Sequence, residues 1–192
     1  MIFRDIYCFL QKGSDCSVIR KNRQLPNQIV VTPPMAHSTF ERSSLIDAPA
    51  SEVRAWHFCE GAFEKLSPPW EKATVVESPG ELKDGVRAVI EVRIGPIKQR
   101  WVAVHEITDD GFIDRQEEGP FAFWEHHHRF LPASDDTCRL VDSIRYQLPL
   151  GFLGKIFGGP LVRRKLNRMF TYRHEVTKQA LEGANGNHED AV

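Results

Sequence analysis

Three of the eight histidines of this chain stand side by side in the stretch WEHHHRF, at His126, His127 and His128, between Trp124 and Phe130. Imidazole both ligates transition metals and transfers protons near neutral pH, so a run of three raises either chemistry. Two aspartates lie in segments with the same alternating pattern, Asp114 in FIDRQ and Asp142 in LVDSIRY. Along an extended strand, residues two apart share a face. Alternation turns Trp124, His126, His128 and Phe130 one way and Phe123, Glu125, His127, Arg129 and Leu131 the other, so the triple becomes a pair plus one.

A zinc or iron site would draw on His126 and His128 together with Asp114 or Asp142. Such a site needs three or four convergent donors, and alternation guarantees only two. On that count histidines hydrogen-bonded to carboxylates in or beside a pocket are the better reading, and no metal or other cofactor is expected. For proton chemistry the catalytic candidates are His126 and His128 as acid or base, with Asp142 or Asp114 orienting them. A His–Asp pair is as often a buried polar network as a dyad, so binding and catalysis both stay open.

The elements that must position these residues follow from periodicity. A first strand is predicted over 38–46, then a short helix through Val53, Trp56 and His57 with Asp47 as its cap and Pro49 near its start. A second brief helix has to stop by Ser67, because Pro68 and Pro69 cannot continue it. Alternating segments at 74–77, 86–94, 97–107, 111–118, 121–131 and 137–148, separated by turn residues such as Asp84-Gly85 and Asp109-Asp110-Gly111, predict an antiparallel meander. GFLGKIFGGP then reads as a flexible lead into a long amphipathic helix from about residue 161 to 181, with Val162, Leu166, Met169, Phe170, Val176 and Ala180 at helical spacing.

Rows on neighbouring strands would face the same space as the histidine pair: Trp101, Ala103 and His105, then Phe112, Asp114 and Gln116, then Leu140, Asp142, Ile144, Tyr146 and Leu148. Arg163, Arg164, Lys165, Arg168 and Arg173 make the last helix basic, which is read as a solvated face. The chain as a whole is balanced, with 25 basic and 26 acidic residues and a net charge of -1, so it carries no overall footprint for nucleic acid or for an anionic membrane surface. Cys8, Cys16, Cys59 and Cys138 form no C-x-x-C pair and are read as reduced thiols of a cytoplasmic protein. No apolar run is long enough for stable membrane insertion. Residues 1–34 are polar and aperiodic and are expected to be a poorly ordered extension, with the domain proper over 35–182, starting at Met35, and a flexible tail over 183–192.

Three phrases carry a family resemblance: LIDAPASEVRAWH, GFIDRQEEGPFAFWEHHHRF and TCRLVDSIRYQLPLGFLG. Over residues 38–181 the chain resembles the SRPBCC (START/Bet v 1-like) superfamily, in its polyketide cyclase/dehydrase and lipid-transport branch. It looks like a bacterial subgroup in which F-x-D-x-Q-x-x-G-P-F, W-x-H-x-H-x-F and L-x-D-x-I-x-Y-x-L-P recur. The resemblance implies an α+β helix-grip fold, a curved seven-stranded antiparallel sheet with two short helices and a long C-terminal helix enclosing a cavity. It implies binding or carriage of a hydrophobic small molecule such as a lipid, isoprenoid or polyketide-like compound. The lining would include Trp101, His105, Asp114, Gln116, Trp124, His126, His128, Asp142, Tyr146, Leu166, Met169 and Phe170. Two alternatives accompany it: a cyclase or dehydratase using a cavity histidine as general acid and base, or an accessory domain with an epimerase-like protein partner, since some members of that subgroup are joined to such a domain.

Overall fold

A computed structural model describes residues 37–71, 73–77, 80–94, 96–149 and 151–185. The extension expected over 1–34 lies outside the described residues, and so does the expected tail beyond Asn185. Along the chain come β1 (Ser38–Ile46), α1 (Ala50–Phe58), α2 (Ala62–Leu66), β2 (Ala73–Glu77), β3 (Arg87–Ile94), β4 (Ile97–Thr108), β5 (Gly111–Glu118), β6 (Phe123–Pro132), β7 (Cys138–Gln147) and α3 (Gly151–Asn185). The strands form one antiparallel sheet in the order β1-β7-β6-β5-β4-β3-β2. This is the expected α+β helix-grip arrangement, although the sheet is not strongly curled and its edges, β1 and β2, stay apart.

Local chemistry explains the boundaries. Pro49, rather than Asp47, occupies the cap of α1, and its carbonyl receives the amides of Glu52 and Val53. Proline at that place loses no helical hydrogen bond, and its fixed φ leads directly into the first turn. Gly61, at φ +80°, lets the chain reverse between α1 and α2 in a conformation that a side chain disfavours. Arg54 on α1 reaches the carbonyls of Thr108 (3.2 Å) and Asp109 (3.0 Å), fixing the helix to the β4–β5 turn.

The long helix starts earlier than the sequence predicts. GFLGKIFGGP, read as a flexible lead, is helical, and Pro160 sits inside α3. Proline's φ is itself helical, so the cost is one lost hydrogen bond and local crowding, not a change of conformation. Gly158 packs close to the sheet end, where a Cβ would meet the Leu148 side chain at 3.1 Å.

Helix α3 lies along β1 and β7, and α1 lies over β6 and β7. Leu166, Phe170, His174, Thr177 and Leu181 recur at intervals of three and four and form the buried stripe of α3. Beneath the helices the core divides in two. One cluster joins Ile46, Val53, Phe112, Phe130, Cys138, Leu140 and Leu181, and the other joins Phe40, Trp124, Ile144, Tyr146, Leu166 and Phe170. Between them lies a belt of buried polar groups.

Candidate functional site

Strand register assembles that belt. Asp114 on β5 stands opposite His105 on β4 and His126 on β6, and His126 stands opposite Ile144 on β7. In the adjacent row His128 pairs with Asp142 on β7 and with Phe112 on β5. Because paired residues share a face, His105, Asp114, His126, His128 and Asp142 all rise from the side of the sheet that α3 covers.

Asp142 is the hub, with 4% exposure. Its Oδ1 accepts from His126 Nε2 at 2.7 Å and lies 3.0 Å from His128 Nδ1, while its Oδ2 accepts from His174 Nε2 at 2.8 Å. His174 comes down from α3, and its Nδ1 is bonded to the Ser44 hydroxyl on β1 at 2.8 Å. His128 Nε2 reaches Asp114 Oδ2 at 3.2 Å, so both of its nitrogens face carboxylates. His105 donates from Nδ1 to the Val86 carbonyl at 3.0 Å and sets Nε2 3.1 Å from Asp114 Oδ1.

The network drives two adjacent histidines apart in basicity. Burial opposes the charged form of His128, but the bonds and charges of Asp114 and Asp142 outweigh it and raise its pKa from 6.5 to about 9. His126, whose ring centre is 3.7 Å from that of His128, is lowered to about 4, first by burial and then by the neighbouring imidazolium. Burial also works against the two carboxylates, yet their histidine partners hold Asp114 at about 2 and Asp142 well below the ordinary range. Near neutral pH the cluster thus contains two carboxylates, one imidazolium at His128 and a neutral imidazole at His126. Arg173, held by burial below the usual arginine range, feels both aspartates and supplies a second positive charge.

Neutral His126 donates from Nε2 to Asp142, and its Nδ1 makes no hydrogen bond among the described residues. That leaves His126 a free lone pair beside the carboxylates, weakly basic in the resting site because burial and the neighbouring imidazolium depress it. Over β3 to β5 the covered face of the sheet is less deeply buried: Ile90, Trp101, Ala103, Asp114 and Gln116 are all partly exposed, whereas the β6 and β7 residues of the same face are buried.

Of the residues expected to line a cavity, His105, Asp114, His126, His128 and Asp142 are brought into one network. Trp101, Trp124, Tyr146, Leu166, Met169 and Phe170 gather in the apolar cluster on one side of it. Trp124 packs on Trp101 with ring centres 5.2 Å apart, and Phe170 meets His126 edge-on at 5.1 Å. Gln116 stands apart, because its amide is spent on both backbone groups of Phe121, at 2.7 and 3.3 Å, closing the β5–β6 connection. His127 faces the other side and bonds Glu125, which also holds Arg115 and Arg145 in an ordinary outer-face ion network.

Sequence reasoning missed His174, Ser44 and His57. His174 falls in the apolar stripe of α3, four residues after Phe170, and that placement was the available signal. His57 on α1 packs at a tilt beside Phe130, ring centres 4.9 Å apart, and is lowered to about 4, chiefly by burial. Nothing in its neighbourhood in the chain marks it.

Asp114, His126 and His128 each offer a donor atom within 4.8 Å of the others, a set chemically suited to zinc or iron. Both nitrogens of His128 already serve the carboxylates, so an ion would have to displace one of those bonds, whereas His126 could ligate through its free Nδ1.

Comparison with known proteins agrees with the fold. None of the curated protein sequences compared matches the chain. Among solved structures, a START superfamily protein from Mycobacterium smegmatis superposes with a TM-score of 0.57 at 13% identity, over 78% of this chain and 99% of that one. Norcoclaurine synthase from Thalictrum flavum, in complex with dopamine and hydroxybenzaldehyde, gives 0.56 at 16% identity over 88% and 98%. The nucleoside-diphosphate sugar epimerase from Corynebacterium glutamicum gives 0.55 at 24% identity, over 73% of this chain but only 28% of that one. Among the described residues no helix is long and apolar enough to cross a membrane. The model of the family described as polyketide cyclase/dehydrase and lipid transport matches residues 46–170, and with the helix-grip fold this places the chain in that family, whose fold is built to hold hydrophobic ligands.

Proposed function

We propose that the protein is a cyclase or dehydratase acting on a hydrophobic carbonyl compound, with His126 as general base. The observation that carries this reading is the pair of adjacent histidines, ring centres 3.7 Å apart and both on Oδ1 of one shared aspartate, whose surroundings push their basicities in opposite directions. Groups whose surroundings push their pKa values apart are suited to acid and base roles. His126 Nδ1 takes the proton from the carbon beside a substrate carbonyl, forming the enolate. Asp142 fixes the ring through Nε2, and the imidazolium of His128 stabilises the enolate oxygen through space. Attack of the enolate carbon on a second carbonyl forms the C–C bond, and the new alkoxide takes back the proton that His126 had removed, becoming a hydroxyl and leaving His126 neutral. Removal of a further α-proton expels that hydroxyl as water, with the proton on His126 returned to the leaving oxygen. The aromatic cluster around Trp101, Trp124 and Phe170 receives the apolar body of the substrate.

Native mass spectrometry of detergent-free wild type and His126→Gln tests this. The variant is expected to retain a precursor heavier by one water than the ligand in the wild type. The same molecule in both proteins would leave a binding role only, and two empty proteins would remove the reading altogether. The epimerase from Corynebacterium glutamicum supports a second reading, an accessory domain for an epimerase-like partner, because the matching region is only part of that chain. Co-purification of an epimerase with the tagged chain tests it.

A further inference from the structure

On its solvent side α3 carries a groove of about 500 Å³ that the histidine–aspartate belt does not use. Arg164, Arg168, Thr171, Tyr172 and Glu175 form its helical wall, and Trp70, just after α2, forms the other. The Trp70 ring is 39% exposed, with the Arg168 guanidinium 4.1 Å above it and the Tyr172 ring edge-on at 5.2 Å. One turn before Arg164, Leu161 is 42% exposed on the same stripe. Arg163, Arg164, Lys165 and Arg168 are all exposed, and between 151 and 174 the helix has no aspartate or glutamate. In a chain with a net charge of -1 this is a strongly asymmetric distribution. The nearby acidic groups are Glu175 at the far end of the groove and Glu71 beside Trp70.

We propose that this face of α3 docks on an anionic lipid bilayer surface. Exposed tryptophan and leucine flanked by arginine and lysine are what a peripheral contact with the headgroup region requires. The rings and the leucine enter the interface, and the cations meet the lipid charge. A solvated helix face needs neither an exposed Trp nor a one-signed run of charge. The proposal is independent of the acid-base site, whose residues lie on the opposite side of α3.

The test is co-sedimentation with vesicles of phosphatidylcholine alone and with about one-third phosphatidylglycerol, a fraction chosen to give a clear surface potential. Binding is expected only with phosphatidylglycerol, and it should weaken steeply as salt shortens the screening length. Each cation near such a surface is worth about a fivefold factor, so Arg164→Gln with Arg168→Gln should weaken binding roughly 30-fold. Trp70→Ala should weaken binding to the same vesicles without changing its salt dependence. All three positions are surface-exposed, and circular dichroism checks that the fold persists. Absence of binding at low salt, or a double variant that binds like the wild type, would overturn the proposal. So would failure on vesicles combined with salt-dependent binding to an acidic polypeptide such as polyglutamate, which would make the groove a protein-docking site.

Discussion

Replacing Asp142 by asparagine removes one charge and almost no volume, so it isolates the electrostatic role of the hub from its packing. His126 and His128 both address Oδ1 while His174 addresses Oδ2. With its amide oxygen at the Oδ1 position, asparagine keeps the first two contacts and turns its NH2 group toward His174. His174 can answer by moving its proton to Nδ1 and donating to Ser44, so the hydrogen-bond pattern survives. What is lost is the negative charge that, with Asp114, keeps His128 protonated. In the wild type the pKa of His128 stands at about 9 against 6.5 when unperturbed, a difference worth roughly 3 kcal/mol. A raised pKa means that this stabilisation is complete below pH 6.5 and disappears as pH climbs through 9. Urea unfolding of the wild type should therefore show stability falling by roughly 3 kcal/mol between those values. Asp142→Asn, which leaves Asp114 in place, should cost a part of that, about 1–2 kcal/mol at pH 6.5, and much less at pH 9. A cost that is equal at both pH values would mean that the aspartate matters for packing alone. A wild-type stability that is flat from pH 6.5 to 9 would refute the protonated His128.

Two further outcomes rest on the same geometry. His126 and His57 have depressed pKa values of about 4, so the stability they confer is present above pH 6.5 and is lost as pH falls toward 4. His57→Phe should flatten that acid limb in urea unfolding, and an unchanged limb would clear His57 of the role. Gly111 opens β5 directly against β6, where an added Cβ would run into the His128 carbonyl oxygen. Gly111→Ala should destabilise by about 1–3 kcal/mol, as overpacking does, and in an NMR titration should also alter the His128 imidazole signals. Destabilisation without such a change would separate this turn from the site.

Much of this arrangement was legible along the chain because strands carry their own ruler. The two-residue period of β6 sorted His126 and His128 from His127. The same period in β4, β5 and β7 picked out His105, Asp114 and Asp142 as residues of the same face. Helix ends were less legible. GFLGKIFGGP read as a flexible lead, yet the helix runs through it and through Pro160, whose fixed φ is itself helical. Gln116 shared the face of Asp114 but not its role, since its amide met the Phe121 backbone first.

What the sequence by itself determined was the order of elements, the face of each strand and the family to which the chain belongs. These rest on local periodicity and turn chemistry, which act between near neighbours. Only the tertiary structure decided that Asp142 is shared by three histidines, that His174 and Ser44 complete the network across 130 residues of chain, and that the surroundings lower the pKa of His126 and raise that of His128. Those facts depend on distances of about 3 Å between groups from different strands and a helix, and on their removal from water, neither of which any local pattern encodes.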